Sequence, residues 1–229
     1  MKLAIMQPYF MPYIGYWQLI KAVDKYVVYD DVNYINRGWI NRNRILINGQ
    51  EHLFTIALKK ASQNKLINEL EIVDDFSKIK KQLDFAYKNA PYYTSSMDLL
   101  NGIFDYPNKN LSDFLLYSMK VICGYLNINT IFIKSSEIKK DNSLHSNAKI
   151  LNICDVLNAN EYYNAIGGLC LYDKDEFKSN GIELKFLKPE LTPYKQFKND
   201  FVAGLSIIDV IMFNSVDEIK TMLNKFELV

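Results

Sequence analysis

The apolar positions of the chain change their period several times, and the changes divide it into elements. LAIM, residues 3–6, is a short continuous apolar run of the buried-strand type. After two prolines and a glycine, residues 16–23 carry apolar side chains at helical spacing, and YVVYDDV, residues 26–32, returns to a β-rich run. These three predict a βαβ unit. Residues 43–57 hold two alternating runs about Asn48-Gly49, which predicts a β-hairpin closed by a tight primed turn. A helix is predicted over 75–90, broken by Asn89-Ala90-Pro91, and a second, amphipathic one over 111–126, closed by Asn127. Strand 130–138, helix 146–157 and strand 161–168, which ends in Gly-Gly, restore the βαβ order. Residues 201–229 read as a helical end packed on the rest. The predicted fold is α/β, Rossmann-like: a parallel sheet flanked by helices, with a β-hairpin and a helical insertion at about 75–126, in a single domain over 1–229.

Parallel α/β sheets bind ligands just beyond the carboxyl ends of their strands. That rule selects residues 7–15, residues 30–43, Ser135 with Ser136, and residues 165–172, so four loops are expected to line one cleft. The first is chemically unusual. A turn into a helix normally uses Gly, Asn, Asp or Ser, whereas this one carries Gln7, Tyr9, Tyr13 and Tyr16. Hydroxyl-bearing rings there predict a turn that faces a ligand; the alternative is rings that only pack the helix on the sheet. The order strand, proline, glycine, helix resembles the His-x-Gly-His arrangement of nucleotidylyl transferases and class I aminoacyl-tRNA synthetases, with Tyr13-Ile14-Gly15-Tyr16 in its place. The resemblance implies a nucleotide-type ligand, with Gly15 letting the helix start approach its phosphates. Tyrosine hydrogen-bonds phosphate without carrying a positive charge, which counts against nucleotidylyl transfer itself.

The second loop, DDVNYINRGWINRNR, is the densest polar stretch: Asp30 and Asp31, Arg37, Arg42 and Arg44, Asn33, Asn36, Asn41 and Asn43, and Trp39. Arginine forks match phosphate or carboxylate oxygens, and an indole is a platform for a sugar or base. The mixture suits a nucleotide sugar; a solvated loop of Arg–Asp pairs is the plainer alternative. Asp30 and Asp31 could hold Mg²⁺, orient an amine or cap the turn, and no metal site is assigned.

Charge and cysteine usage narrow the classes. With 27 basic and 26 acidic residues in 229, no global field recruits nucleic acid or an anionic membrane. Cys123, Cys154 and Cys170 lack any CxxC spacing, and a reducing cytoplasm is the expectation. No apolar run reaches the length of a membrane span. Only His52 and His145 are present, and His52 falls in the hairpin, so a Ser-His-Asp triad is poorly supported; His145 could act as a base or be a solvent-exposed loop residue. Cys170 reads as an inert thiol and KSSEIKKDNS, residues 134–143, as a solvated face.

MQPYFMPYIGYWQLI, YDDVNYINRGWINRNRI, NAPYY, YYNAIGG, FKSNGIELKF and LSIIDVIMFN together resemble the WbqC-like family nearly end to end. Members of that family sit among genes for bacterial O-antigen and other surface polysaccharides, so the resemblance implies work in such a pathway. Gln7, Pro8, Tyr9, Pro12, Tyr13, Gly15 and Tyr16 match its first motif, Asp30, Asp31, Trp39, Asn41, Arg42 and Asn43 its second, and Gly167, Gly168, Tyr172, Ser206 and Asp209 its later positions. SNAKIL departs from it, with Lys149 where an arginine is expected. Within such a pathway the residue chemistry above points to an enzyme acting on a nucleotide-linked amino sugar, forming an amide between the sugar amine and an acyl or aminoacyl group. Asp31 would take the ammonium proton, with Asp30 and His145 as further acid–base candidates. Gln7, Tyr9, Tyr13, Gly15, Tyr16, Arg37, Trp39, Asn41, Arg42, Asn43, Gly167, Gly168 and Tyr172 would bind the substrate. The donor and any cofactor are not legible, and a homo-oligomer is left open. The alternatives are a non-catalytic nucleotide-sugar binding or assembly protein of the same pathway, and a nucleotidylyl transferase.

Overall fold

Short apolar strands placed side by side set the frame. The computed structural model describes residues 1–229. Its central strand is β1 (Lys2–Met6), which pairs in parallel with β2 (Lys25–Val28) on one side and with a strand from the second half of the chain, Glu161–Ala165, on the other. The first two are linked by α1 (Ile14–Lys21). The chain then leaves the sheet for the hairpin β3 (Arg42–Ile47) and β4 (Gln50–Thr55), a separate two-stranded antiparallel sheet. Its turn residues Asn48 and Gly49 have φ of 50° and 76°, the left-handed pair that a primed two-residue turn requires.

Three helices follow, α2 (Ser77–Tyr87), α3 (Tyr93–Phe104) and α4 (Leu111–Leu126), before the chain re-enters the sheet as β5 (Ile131–Lys134). The sequence predicts α4 closely because both ends are marked: the Asn110 side chain accepts from Asp113 N at 3.2 Å, and Asn127 closes the helix at φ 56°. It does not predict α3, whose Thr, Ser, Asn and Gly residues are poor helix formers. Burial of Met97, Leu100, Ile103 and Phe104, and a hydrogen bond from Ser96 Oγ to the Ile211 carbonyl at 2.9 Å, hold it instead.

The remaining elements are α5 (Ser146–Val156), β6 (Glu161–Ala165), α6 (Lys174–Ser179), β7 (Glu183–Pro189), α7 (Ile207–Phe213), α8 (Val216–Met222) and β8 (Phe226–Leu228). Spatial order in the sheet is β5-β2-β1-β6-β7-β8, all parallel except β8. The tail is therefore not wholly helical, since it ends by pairing with β7. Strand alternation splits the core in two. Ala4, Tyr26, Val28 and Tyr163 face α1 and the α2–α4 layer, in one continuous cluster with Trp17, Phe76, Leu100, Phe114 and Ile208. Leu3, Ile5, Val27, Tyr162 and Phe186 face α5 and α6. Helices on both faces and a reversal of strand order beside β1 make a doubly wound sheet. No helix is long and apolar enough to cross a membrane.

Candidate functional site

Where the winding reverses, the helix after β1 and the connection after β6 leave on opposite faces, and a crevice opens beyond Met6 and Ala165. A cavity of about 550 Å³ occupies this crevice. Three of the four expected loops line it; Ser135 and Ser136 do not.

The aromatic turn forms its first wall. Met11 has φ 46°, a strained conformation for a non-glycine residue, and three side chains hold the turn around it. Asn43 Nδ2 donates to the Phe10 and Met11 carbonyls, Ser206 Oγ donates to the Met11 carbonyl at 2.7 Å, and Trp17 Nε1 donates to Pro12 O at 2.9 Å. The four motif tyrosine and glycine positions then divide by role. Tyr16 is buried and its hydroxyl donates to the Gln7 carbonyl at 2.7 Å, so it is part of the turn's own framework. Tyr13 is half-buried on the cavity with no hydrogen-bond partner for its hydroxyl in the protein, and the Gln7 side-chain amide likewise has none. Burial raises the Tyr13 pKa, which keeps the phenol a neutral donor. Gly15 is required before any ligand is considered: a Cβ there would stand 2.5 Å from the Tyr13 ring and 2.8 Å from Pro189 Cβ. Tyr9 packs edge-on to Tyr16 at 5.8 Å and tilted against Trp39 at 6.0 Å.

Trp39 stands at the mouth, 40 % exposed, with the guanidinium carbons of Arg42 and Arg44 at 5.4 and 5.2 Å from its ring centre. The arginines are partly engaged. Arg42 Nε donates to Gly38 O at 2.8 Å and its Nη2 to Arg37 O, while Arg44 pairs with Glu51 at 2.6 Å. Arg37 is exposed at φ 59° and does not line the cavity. Asn41 and Asn43 are also corrections to the expected binding set. Both are buried, Asn41 between the Tyr34 hydroxyl and Ile56 O at 2.8 Å each, and Asn43 beneath the aromatic turn, so their amides serve the backbone.

None of the three acid–base candidates faces the cavity. Asp30 is fully buried and accepts from Ser112 Oγ at 2.8 Å, Ser136 Oγ at 2.9 Å and Ser136 N at 3.0 Å, tying the end of β2 to α4 and to the turn after β5. These bonds engage Ser136. Asp31 Oδ2 is shared by Lys140 at 2.7 Å and Lys149 at 3.3 Å. Burial acts to raise its pKa, but the Lys140 hydrogen bond, the nearby Ser135 hydroxyl and the two lysine charges outweigh that and hold it below the ordinary carboxylate value. It is therefore a poor proton acceptor. Its Oδ1 and the Ser135 hydroxyl are both buried without a well-formed hydrogen bond. The Lys140 side chain is only 1 % exposed, so the stretch read as a solvated face contributes a buried cation. His145 is exposed and precedes α5. No group of three or more His, Cys, Asp or Glu comes together as metal ligands, and Asp30 and Asp31 turn to different partners.

The far wall comes from the turn after β6, with Gly167, Gly168 and Tyr172. Gly168 makes room for Asn164 Nδ2, 2.9 Å from where a Cβ would be. Asn164 and Tyr29 line the cavity and were not expected from sequence; each ends or follows a buried strand, the position that the strand-end rule itself marks. Burial, with Asp31 and Tyr172 nearby, pushes the Tyr29 phenol up to about 12.

The family model of the WbqC-like protein family matches residues 7–221, taking in both polar loops and the turn after β6. The chain belongs to the WbqC-like protein family. A protein of Mycobacterium tuberculosis (strain ATCC 25618 / H37Rv), described as uncharacterized, is 29 % identical over 219 residues, covering 93 % of each chain. No solved structure matches the chain. In this WbqC-like protein the cavity lining contains no Asp, Glu, Lys, Arg or His. Such a surface can stack, exclude water and hydrogen-bond a neutral polar group; charged groups stand behind it, Arg42 and Arg44 beside Trp39 and Lys149 with its ammonium 5.2 Å from the Tyr29 ring centre.

Proposed function

We propose that this WbqC-like protein binds a nucleotide-linked amino sugar in the crevice beside β1 and positions its amine for acyl or aminoacyl transfer in bacterial surface-polysaccharide synthesis. One observation carries the reading: an indole flanked by two guanidiniums opens onto an uncharged interior whose Gln7 and Tyr13 polar groups have no protein partner. A sugar or base fits the interior, and a diphosphate fits the mouth, where Arg42 keeps Nη1 unengaged. In amide formation the free amine attacks the donor carbonyl, the acyl–sulfur or acyl–oxygen bond breaks, and the departing thiolate or alkoxide takes up the proton that the amine nitrogen releases. Holding the two reactants in contact supplies much of the acceleration without a covalent intermediate.

The absence of a carboxylate, imidazole or amine from the lining favours a second reading, binding without reaction. Incubation with nucleoside-diphosphate amino sugars and acyl thioester or aminoacyl donors, followed by mass spectrometry of the sugar, separates the two. Gain of one acyl group supports transfer, saturable binding with no mass gain supports the second reading, and absence of binding contradicts both.

A further inference from the structure

We propose a second ligand site, for a small organic anion with an apolar or aromatic body, in the groove between the hairpin tip, the α2–α3 corner and residues 195–199. The groove encloses about 790 Å³, more than the cavity beside β1. Lys88, Lys195 and Lys198 line it together with Phe85, Phe197 and Phe213, and no carboxylate does. None of these three lysines is in an ion pair. In a chain of net charge +1, three unneutralised ammonium groups around one hollow are a local surplus that attracts anions. The phenylalanines supply the other half of the chemistry, and Phe85 is 63 % exposed with nothing packed over it.

The groove is held in shape from behind. Phe197, at φ 53°, packs edge-on against Phe213 at 4.8 Å, and Phe213 against Tyr87 at 5.9 Å. Tyr87 and Tyr194 donate to the buried Asp209 carboxylate at 2.8 and 2.6 Å, and Gln196 Nε2 does so at 2.7 Å. On the opposite bank the hairpin tip meets the segment closely: a Cβ on Gly49 would lie 2.8 Å from Asn199 Oδ1. A preformed hollow of this size is in the range that small ligands occupy. It is distinct from the first cavity, since the two linings share no residue.

The probe is 8-anilinonaphthalene-1-sulfonate, an aromatic anion, titrated into the full chain beside its uncharged counterpart N-phenyl-1-naphthylamine. One saturable sulfonate site is expected, weakened by added salt in the natural chain, and weakened roughly tenfold with its salt dependence lost when Lys88, Lys195 and Lys198 are all changed to Gln. The uncharged probe should change less than about twofold in that variant and should lose affinity with Phe85→Ala. Trp39→Ala should leave the sulfonate site unchanged. Sulfonate affinity that survives the triple substitution, or that disappears with Trp39→Ala, overturns the proposal; circular dichroism of each variant confirms that the fold is intact.

Discussion

Asn43 Nδ2 donates to the Phe10 carbonyl at 3.0 Å from a fully buried position, so the second polar loop clamps the aromatic turn from beneath. The same amide reaches the Met11 carbonyl, and Tyr9 and Trp39 meet above it. Asn43→Ala should orphan the buried Phe10 carbonyl, leave the Met11 carbonyl with Ser206 Oγ as its one side-chain donor, and destabilise the protein by about 1–3 kcal/mol, measured as a lower urea midpoint. Equal stability would mean that the turn holds itself.

Two tyrosines of the same turn should separate folding from binding. Tyr16→Phe removes the bond to the Gln7 carbonyl and should cost about 0.5–1.5 kcal/mol of stability with little change in ligand affinity at constant packing. Tyr13→Phe removes a hydroxyl that has no protein partner and should leave the melting temperature unchanged while weakening nucleotide-sugar binding. Melting curves and calorimetric titrations on both variants check the contrast. The reverse pattern would assign Tyr13 to the core.

Two aspartates should bend the stability–pH curve in opposite directions. Asp31 has a lowered pKa, so its contribution is fully present above its unfolded value, roughly 3.9, and is lost as pH falls through the folded value. Burial raises the pKa of Asp209 despite hydrogen bonds from Tyr194, Gln196 and Tyr87, so its contribution is present below the unfolded value and is lost as pH rises through the folded one. Urea midpoints across roughly pH 2 to 7 should therefore show Asp31→Asn flattening the acid limb and Asp209→Asn flattening the loss at higher pH. Identical curves for the two variants would contradict the assignment.

Local chemistry explains which features could be read from sequence. Asn48-Gly49 specifies its turn through backbone conformation alone, and α4 carries its own caps, so both are legible without the rest of the chain. The β1 and β6 loops follow from a rule about strand ends, which also brings in Asn164 and Tyr29 once the strands are placed. The roles of the charged residues are not local. Asp31 looks available until Lys140 and Lys149 arrive from more than a hundred residues away, and Asp30 until Ser112 and Ser136 arrive from 82 and 106 residues away. Asn41 and Asn43 look like ligand groups for the same reason, whereas their amides donate to backbone carbonyls that would otherwise be buried without a partner. α3 escapes notice because contacts with α7, and not its own propensity, make it helical.

The central claim is that the aromatic crevice beside β1 receives a nucleotide-linked amino sugar, and calorimetric titration of a panel of nucleoside-diphosphate amino sugars tests it most directly. At least one should bind with one site per chain and lose roughly tenfold or more in affinity on Trp39→Ala, an exposed position whose loss leaves the core intact. The variant with Lys88, Lys195 and Lys198 changed to Gln should bind it as the natural chain does. No binding across the panel, or binding that is indifferent to both Trp39→Ala and Tyr13→Phe, would contradict the claim.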